Sequence, residues 1–410
     1  MKIDNRSILF LATSSNVNSG GGRTRMIDFS ELFIKKGVKV TILSLVYASQ
    51  YLHLRKLLNG RIKLSKDTGG EVWYIPLLPF GNWEYVRRIN DWLILRILGI
   101  LLKQRGFNNA IGLGTQAGYY LVRSNQNNTS INVAVDIQGA IIDEMLYQNK
   151  IADLDNSKKC LEFQERICLS EARKIFFVSE NMKIHFTKKY PNSVASSFVL
   201  PSLSKSDIKN TVHLDSLHRK PMDCLSDKFV IGYLGSAESY QLPAVMCQLV
   251  ENILIRNVNI FFLVLSYDKK IFEDELHKIK IDPNSYKIIG VPRDKVDIWT
   301  KMMDLGLLLR DDSTVNIVSS PTKFGEYLKN GVPVLLTQTV GDFSAIVDDT
   351  KIGLVVSLSE IDREVEKIIS FISEIEENRE QFTANCQRYF INHLNWDNFE
   401  QDVFSFVDVK

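Results

Sequence analysis

The chain has 410 residues, of which 45% are hydrophobic and 24% are charged, and its formal net charge is +2. These values are ordinary for a globular protein, so the disordered, collagen-like and disulfide-stapled classes are excluded. The length predicts two domains, each large enough to bury its own core.

Short apolar strands alternate with helical segments in the first half of the chain. Strands are predicted at residues 8–13, 38–45, 71–76, 110–113, 131–137, 174–178 and 198–201, and helices at 26–36, 157–171 and 180–190. The strands are rich in β-branched and other apolar residues, which is typical of a parallel sheet buried on both faces. A polar, irregular stretch at 202–228 is the predicted linker.

The same alternation starts again after the linker. Strands are predicted at residues 229–234, 260–266, 286–290, 305–309, 334–337 and 352–356, and helices at 242–256, 270–278, 293–302, 322–330 and 342–348. Two such runs predict an α/β protein with two doubly wound, Rossmann-like domains. Ligands of such sheets bind outside the carboxyl ends of the strands, so we expect the site in a cleft that the two domains face.

The domain boundaries follow from this rhythm. We expect a first domain at 1–200, a second domain at 201–385 and a helical tail at 386–410. The tail is rich in aromatic residues, and an amphipathic tail needs a surface on which to dock. We expect it to pack back on the first domain.

Charge is divided unevenly between the two halves. Residues 1–200 carry 27 Lys and Arg against 16 Asp and Glu, whereas residues 201–410 carry 23 against 32. A basic half indicates an anionic partner, and the scattered basic residues without a recognition motif argue against nucleic acid. One apolar segment, 83–103, is flanked by aromatic and basic side chains, namely Trp83, Tyr85, Arg87, Arg88, Trp92, Arg96 and Lys103. This pattern fits a helix that lies in the headgroup region of a membrane, and it equally fits a core helix.

Cysteines, histidines and apolar runs narrow the class further. The five cysteines are widely spread without a CxxC pair, which predicts free thiols in a reducing compartment. The six histidines show no ligand spacing, so no metal site is expected. No apolar run approaches the roughly 20 residues that a membrane-spanning helix requires.

Two loops at predicted strand ends in the first half carry candidate ligand contacts. Gly20, Gly21 and Gly22 permit close approach of the backbone to a ligand, although they also suit a simple flexible turn. Asp136 leaves the strand at 131–137, where its carboxylate can bind sugar hydroxyls, act as a base or cap a helix.

A third loop precedes the helix predicted at 322–330. Ser320 suits the N-cap position, Pro321 the first helical position and Gly331 the helix end. The N–H groups of the first turn and the side chain of Lys323 can together bind a diphosphate, and Glu326 can accept hydrogen bonds from a ribose. The same residues also fit a capped helix with a Lys–Glu surface pair.

The segment Ser320-Pro-Thr-Lys-Phe-Gly-Glu-Tyr-Leu-Lys-Asn-Gly-Val-Pro-Val resembles the signature helix of retaining nucleotide-sugar glycosyltransferases with the GT-B fold, the family-4 type of bacterial capsule, O-antigen and exopolysaccharide assembly. Other segments resemble that family along nearly the whole chain: Gly20-Gly-Gly-Arg, Asp136-Ile-Gln-Gly, Val178-Ser-Glu-Asn-Met, Gly232-Tyr-Leu-Gly-Ser, Val291-Pro-Arg-Asp-Lys-Val and Val340-Gly-Asp.

The resemblance implies a role for each site residue. Arg310, Lys323 and Asp136 would be catalytic, the first two by neutralising the departing diphosphate. Donor contacts would come from Gly21, Gly22, Gly235, Ser236, Arg293, Thr322, Lys323 and Glu326. Asp136 and Gln138 would line the sugar or acceptor pocket. The resemblance also implies a UDP- or GDP-linked sugar as donor, a glycan or polyprenyl-linked acceptor, and no bound cofactor or metal. Together with the cysteine pattern, the basic first half and the segment 83–103, it leads us to expect a cytoplasmic location with peripheral contact at the inner face of the membrane.

Three departures from the family pattern leave alternatives open. Val318 stands where many relatives carry the first of two glutamates, and Gln138 stands where many carry a histidine. Residues 236–241 lack the basic residue that often follows the first strand of the donor domain. A nucleotide-sugar epimerase of the same fold and a catalytically silent scaffold therefore remain as alternative functions.

Overall fold

A computed structural model of the chain describes residues 6–13, 20–47, 50, 53–78, 84–126, 131–151, 156–193, 195–205, 225, 227–256 and 259–408. Most of the predicted linker lies outside the described residues. These divide into two units, one formed by Met1–Ser202 with Phe399–Lys410 and the other by Leu203–Asn398.

The first unit is built on a seven-stranded parallel sheet with the strand order β3-β2-β1-β4-β5-β6-β7. The chain winds outwards from β1 in both directions, so the point at which the strand order reverses lies between β1 and β4. Residues 8–12 of β1 are all buried, as the apolar sequence predicts for a central strand. The strands are Ser7–Ala12 (β1), Lys39–Tyr47 (β2), Glu71–Leu77 (β3), Asn109–Leu113 (β4), Asn132–Ile137 (β5), Lys174–Phe177 (β6) and Ser196–Val199 (β7).

Helices connect these strands and cover the sheet. They are Gly20–Lys35 (α1), Leu54–Thr68 (α2), Glu84–Gln104 (α3), Thr115–Asn125 (α4), Ile141–Tyr147 (α5), Asn156–Glu171 (α6) and Glu180–Lys189 (α7). Helix α3 was interpreted from the sequence either as a core helix or as a helix in the headgroup region of a membrane, and it has one buried and one exposed face. One face is buried at a spacing of four residues, through Asn90, Ile94, Leu98 and Leu102, while Tyr85, Trp92 and Ile100 on the other face are exposed.

The second unit contains a six-stranded parallel sheet with the order β10-β9-β8-β11-β12-β13. The strand order reverses between β8 and β11. The strands are Phe229–Leu234 (β8), Ile260–Leu265 (β9), Tyr286–Ile289 (β10), Leu305–Leu308 (β11), Val334–Thr337 (β12) and Gly353–Val356 (β13). The helices are Pro243–Arg256 (α8), Lys269–Lys278 (α9), Val296–Thr300 (α10), Thr314–Ile317 (α11), Thr322–Lys329 (α12), Phe343–Thr350 (α13), Val365–Glu377 (α14) and Arg379–His393 (α15). Two doubly wound domains, as predicted from the sequence, are confirmed.

The predicted tail, residues 386–410, begins inside a helix and ends in the first unit. Helix α15 runs unbroken through residue 386, where the tail was predicted to begin, and buries Cys386 and Phe390 in the core of the second unit. A last helix, Glu400–Phe406 (α16), belongs to the first unit. There the ring of Phe404 packs edge-on against that of Phe33 at 5.3 Å between centroids.

Two further predictions concern thiols and membrane spans. Cys160, Cys168, Cys247 and Cys386 are free thiols, as predicted, and Cys224 lies outside the described residues. Across the described part of the chain, no helix combines the length and the apolar character needed to cross a membrane.

Candidate functional site

The reversal point of the second sheet carries the densest group of predicted site residues. Strand β8 ends at Leu234, and Gly235 follows with φ +142°. L side chains rarely adopt this conformation, which favours glycine, and a Cβ atom at Gly235 would lie 2.8 Å from Lys323 Nζ, so the end of the lysine side chain lies against this glycine. Across the reversal point, β11 ends at Leu308, two residues before Arg310.

Helix α12 presents its first turn to this point. It begins at Thr322, so Pro321 takes the N-cap position and Ser320 does not, contrary to the sequence prediction. Proline at that position provides no side-chain cap, and the first N–H groups of a helix have no acceptor within the helix. The predicted end is confirmed, because Gly331 adopts φ +75° immediately after the C-cap.

Tyr327 fixes this helix to the sheet. Its hydroxyl accepts the N–H of Leu234 at 2.9 Å and donates to the carbonyl of Leu307 at 3.3 Å, so it contacts both strands that flank the reversal point. A Cβ atom at Gly306 would lie 2.7 Å from the tyrosine ring, so the sheet leaves room for the ring only through that glycine. Burial raises the pKa of Tyr327 well above its usual range.

Two buried cations meet at one neutral oxygen. Lys323 Nζ and Arg310 NH1 each donate to Gln241 Oε1 at 2.5 Å. Lys323 Nζ also donates to the hydroxyl of Tyr233 at 3.1 Å, and it lies 4.4 Å from the centre of that ring. The backbone of Arg310 is fixed to the residue that ends β12, since its backbone N–H donates to Thr337 Oγ1 at 2.8 Å.

These two cations lack a carboxylate partner. None of the ion pairs between described residues includes Arg310 or Lys323, which are 3% and 7% exposed. Burial lowers the pKa of Lys323 well below its usual range, and the neighbouring Arg310 lowers it further. Burial lowers the pKa of Arg310 as well. The carboxylates of Glu326 and Asp311 oppose these pKa shifts without forming an ion pair with either cation. A buried positive charge without a directly bound counter-ion is costly, and an anion is the ligand that relieves this cost.

Glu326 lies one turn after Lys323 in α12. Its Oε1 is 3.6 Å from Arg293 NH1, and it does not form the surface pair with Lys323 that was the alternative interpretation, since Lys323 is buried. Burial raises the pKa of Glu326, and Arg293 partly opposes that shift. The side chain of Glu326 is 15% exposed.

The remaining predicted residues of this unit lie around the same point. Ser236 follows Gly235, and its carbonyl accepts from the Tyr233 hydroxyl at 2.6 Å. Thr322 is the first residue of α12, and Arg293 begins a short 3-10 turn.

The predicted residues of the first unit have different surroundings. Gly20, Gly21 and Gly22 were predicted to lie in a loop, but they form the first turn of α1. The chain before them, at 14–19, lies outside the described residues. A helix that starts earlier still presents its N–H groups, and glycine at these positions leaves them accessible.

Asp136 is completely buried and already has partners. Arg25 donates from Nε to Asp136 Oδ2 at 2.9 Å and from NH2 to Oδ1 at 2.8 Å, and Gln138 Nε2 donates to Oδ2 at 2.7 Å. The carboxylate therefore does not cap a helix, which was one of its interpretations. Arg25 also donates to the carbonyl of Pro201 at 2.8 Å, so the group ties α1 to the segment that follows β7.

Sequence reasoning missed Arg25, Gln241 and Tyr233. Arg25 offered one signal in the sequence, since it stands four residues before the apolar Phe29 and therefore shares its helix face. In the structure, the guanidinium of Arg25 lies 5.4 Å from the ring of Phe29. Gln241 lies in an irregular segment that offered none. In the described residues, no three His, Cys, Asp or Glu side chains group as a metal site would require.

Comparison with known proteins places this geometry in a fold. The sequence matches no protein-family model and no curated protein. A glycosyltransferase from Rickettsia africae superposes with a TM-score of 0.72 at 14% identity, over 99% of this chain and 98% of that one. WaaG, a glycosyltransferase involved in lipopolysaccharide biosynthesis, superposes with a TM-score of 0.69 at 13% identity, over 97% of this chain and 99% of that one. Anabaena HepE in complex with UDP-glucose superposes with a TM-score of 0.72 at 12% identity, over 98% of this chain and 100% of that one.

The chain has the GT-B fold. In an open α/β sheet of this fold, a ligand is expected at the reversal point of the strand order. In the second unit that point is where Gly235, Arg310 and Lys323 meet.

Proposed function

We propose that the protein is a glycosyltransferase that moves a sugar from a nucleoside diphosphate donor to an acceptor with retention of the anomeric configuration. The observation that carries this proposal is the convergence of Arg310 and Lys323, both buried and without a carboxylate partner, on a single neutral oxygen. A diphosphate supplies the negative charge that this arrangement lacks.

The chemistry follows from the charge that develops during transfer. As the bond from the sugar to the diphosphate breaks, negative charge accumulates on the departing phosphate. Arg310, Lys323 and the first N–H groups of α12 stabilise that charge from fixed positions in a buried environment. We assign Glu326 to the ribose and Gly235, Ser236, Thr322 and Arg293 to the remaining donor contacts.

The acceptor side is assigned to the first unit. We propose that Gln138 borders the acceptor, whereas Gly21 and Gly22 of the same unit supply backbone contacts to the donor. Asp136 has its carboxylate committed to Arg25 and Gln138, so we give it the role of holding this region in place. WaaG takes part in lipopolysaccharide biosynthesis, and we propose a glycan or polyprenyl-linked acceptor of bacterial surface polysaccharide for this chain.

A binding experiment tests the donor site. UDP, GDP and inorganic pyrophosphate are titrated calorimetrically into the wild type, Lys323→Met and the control Lys301→Met, which removes an exposed lysine of the same unit. We expect one nucleoside diphosphate and pyrophosphate to bind the wild type and the control, and binding to weaken about 10–100-fold in Lys323→Met. Equal affinity in all three proteins would refute the site.

A turnover experiment then separates the three functions. Candidate UDP- and GDP-sugars are incubated with a polyprenyl-phosphate sugar acceptor in the presence and absence of EDTA, and the anomeric configuration of the product is read by NMR. Transfer with retention in both conditions supports the proposal, since the protein's own cations replace a metal. Epimerised donor without acceptor would indicate the epimerase, and donor binding without any product would indicate the scaffold.

We also propose a cytoplasmic protein that contacts the anionic inner face of the membrane. Helix α2 carries five basic residues, and its Leu58 and Ile62 are 46% and 66% exposed. Helix α3 exposes Trp92 at 58%, with the guanidinium of Arg96 5.9 Å from its ring. Basic and apolar side chains exposed on one helix are typical of contact with a lipid headgroup region.

Vesicle sedimentation tests this contact. Phosphatidylglycerol vesicles are compared with phosphatidylcholine vesicles at low and high salt, for the wild type and for Ile62→Glu. We expect binding only to the anionic vesicles, with a loss at high salt and in the variant, because screening and a buried charge both oppose the contact. Ile255→Glu, which alters a residue of the second unit that is 71% exposed, is the control. Indifference to lipid charge would refute the proposal.

A further inference from the structure

The side chain of Gln241 occupies the position where the two cations point. Its Oε1 accepts from Arg310 NH1 and from Lys323 Nζ, each at 2.5 Å, and the Tyr233 hydroxyl lies 3.1 Å away. The tyrosine hydrogen is committed to the carbonyl of Ser236 at 2.6 Å. An amide oxygen has two lone pairs, so the two cations take both of them.

The charge balance at this oxygen is incomplete. An amide oxygen carries only a partial negative charge, whereas Arg310 and Lys323 bring two formal positive charges into a buried environment. The amide therefore satisfies the geometry of both donors without neutralising them. A phosphate oxygen at the same position would satisfy both.

The backbone around Gln241 is held in an unusual conformation. Gln241 ends a 3-10 turn, Ser239–Gln241, in which its N–H donates to the carbonyl of Glu238 at 2.8 Å. The next residue, Leu242, has φ +55°, a left-handed conformation that a branched side chain rarely adopts. Leu242 connects the turn directly to α8, and the Gln241 side chain is buried, with 6% of the residue exposed. Strain of this kind at a ligand site is a recurrent functional feature.

We propose that Gln241 is a positioning residue, which holds Arg310 and Lys323 on its amide oxygen in the ligand-free protein and yields both cations to a phosphate oxygen when a diphosphate binds. The inference rests on the proposed function, because it takes the ligand of these cations to be a diphosphate. It predicts that the charge at position 241 moves ligand-free stability and diphosphate affinity in opposite directions.

Two substitutions at this position should have opposite effects. Gln241→Glu keeps the shape and supplies the missing negative charge, so the ligand-free protein should melt at a higher temperature and pyrophosphate should bind at least about tenfold more weakly. Gln241→Ala removes the internal acceptor, so the ligand-free protein should melt at a lower temperature. Pyrophosphate should then raise its melting temperature by more than it raises that of the wild type, since nothing has to be displaced.

The experiment measures melting temperatures and calorimetric affinities with inorganic pyrophosphate and UDP for the wild type, Gln241→Glu, Gln241→Ala and Gln381→Glu. The last variant adds the same charge at an exposed glutamine of α15 and should behave as the wild type. Circular dichroism checks that each protein is folded, and Gln241→Asn, whose shorter side chain withdraws the oxygen, replaces the alanine variant if that one does not fold.

The outcomes distinguish the two proposals. If the wild type binds neither pyrophosphate nor a nucleoside diphosphate, the proposed function fails and this inference fails with it. If the wild type binds pyrophosphate and Gln241→Glu binds it equally well, only the role of Gln241 is overturned. If both substitutions lower the melting temperature and weaken binding together, Gln241 merely anchors its loop, and the inference is again overturned.

Discussion

Tyr327 and Leu234 are joined by a buried hydrogen bond, in which the backbone N–H of Leu234 donates to the tyrosine hydroxyl at 2.9 Å. The bond fastens the middle of α12 to the last residue of β8. Gly235 follows directly, and Lys323 lies one turn earlier on the helix. The relative position of that lysine and the glycine-containing turn is thus set by a contact between a helix and a strand 93 residues apart in the sequence.

Tyr327→Phe should lower the free energy of unfolding by about 1–3 kcal/mol, because the ring is retained while the buried N–H of Leu234 loses its acceptor. Urea denaturation followed by circular dichroism measures this change. The control is Tyr286→Phe on β10, whose hydroxyl forms no hydrogen bond with any described residue and whose loss should change stability by less than about 0.5 kcal/mol. Equal effects in the two variants would contradict the structural role of Tyr327.

Lys323→Met should stabilise the ligand-free protein, and the gain should depend on pH. The pKa of Lys323 is lowered by burial and by Arg310, so between that lowered value and the unfolded value, near 10.4, the unfolded chain binds more protons than the folded one. The lysine's contribution to stability therefore rises with pH across this window. At pH values below the lowered pKa of Lys323, the free energy of unfolding of the variant should exceed that of the wild type by about 1–4 kcal/mol. The difference should shrink as the pH approaches about 10.

Urea denaturation at several pH values between about 6 and 10 measures this difference. Lys301→Met removes an exposed lysine, so its difference from the wild type should stay small at every pH. A Lys323→Met protein that is less stable than the wild type near neutral pH would show that the lysine does not carry an uncompensated charge.

Glu326→Gln should weaken binding of a nucleoside diphosphate about tenfold and leave binding of inorganic pyrophosphate unchanged. In our proposal Glu326 accepts hydrogen bonds from the ribose hydroxyls. Pyrophosphate contains no ribose, so its binding does not depend on Glu326. Calorimetric titration of the wild type and the variant with UDP, GDP and pyrophosphate measures both affinities. If both ligands lose affinity to the same extent, the residue acts through Lys323 or through folding and does not bind the ribose.

Local sequence patterns predicted every strand of both sheets, because each strand is a short apolar run between turns. The same approach missed the helices α2 and α4 and the short helices α5 and α11. Helix α2 is highly charged and contains Gly60, and it buries few side chains. Helix α4 contains Gly118, where a Cβ atom would lie 2.5 Å from Cys168 Sγ, so that glycine serves packing against α6 and disguises the helix in the sequence.

Residue spacing alone predicted the site only where its residues are neighbours in sequence, and the family resemblance supplied Gly235, Arg293 and Arg310. Lys323 and Glu326 belong to one helical turn, so their spacing carried the prediction. The contacts of Gln241 with Arg310 and of Arg25 with Asp136 span 69 and 111 residues. Nothing in the local pattern of either residue indicates such a partner, because strand order alone brings the ends of distant strands together.

The pair formed by Arg25 and Asp136 allows a direct test between a structural and a catalytic role. Asp136→Asn keeps the shape of the side chain but leaves the buried guanidinium of Arg25 without a counter-ion, which should cost about 3–5 kcal/mol of unfolding free energy. The double variant Arg25→Met with Asp136→Asn should recover part of that loss, because the uncompensated charge is removed with its partner. Urea denaturation measures the cycle. If Asp136 were instead a catalytic carboxylate, the single variant would unfold at the same urea concentration as the wild type but would lose transfer activity. That result would assign Asp136 a catalytic role.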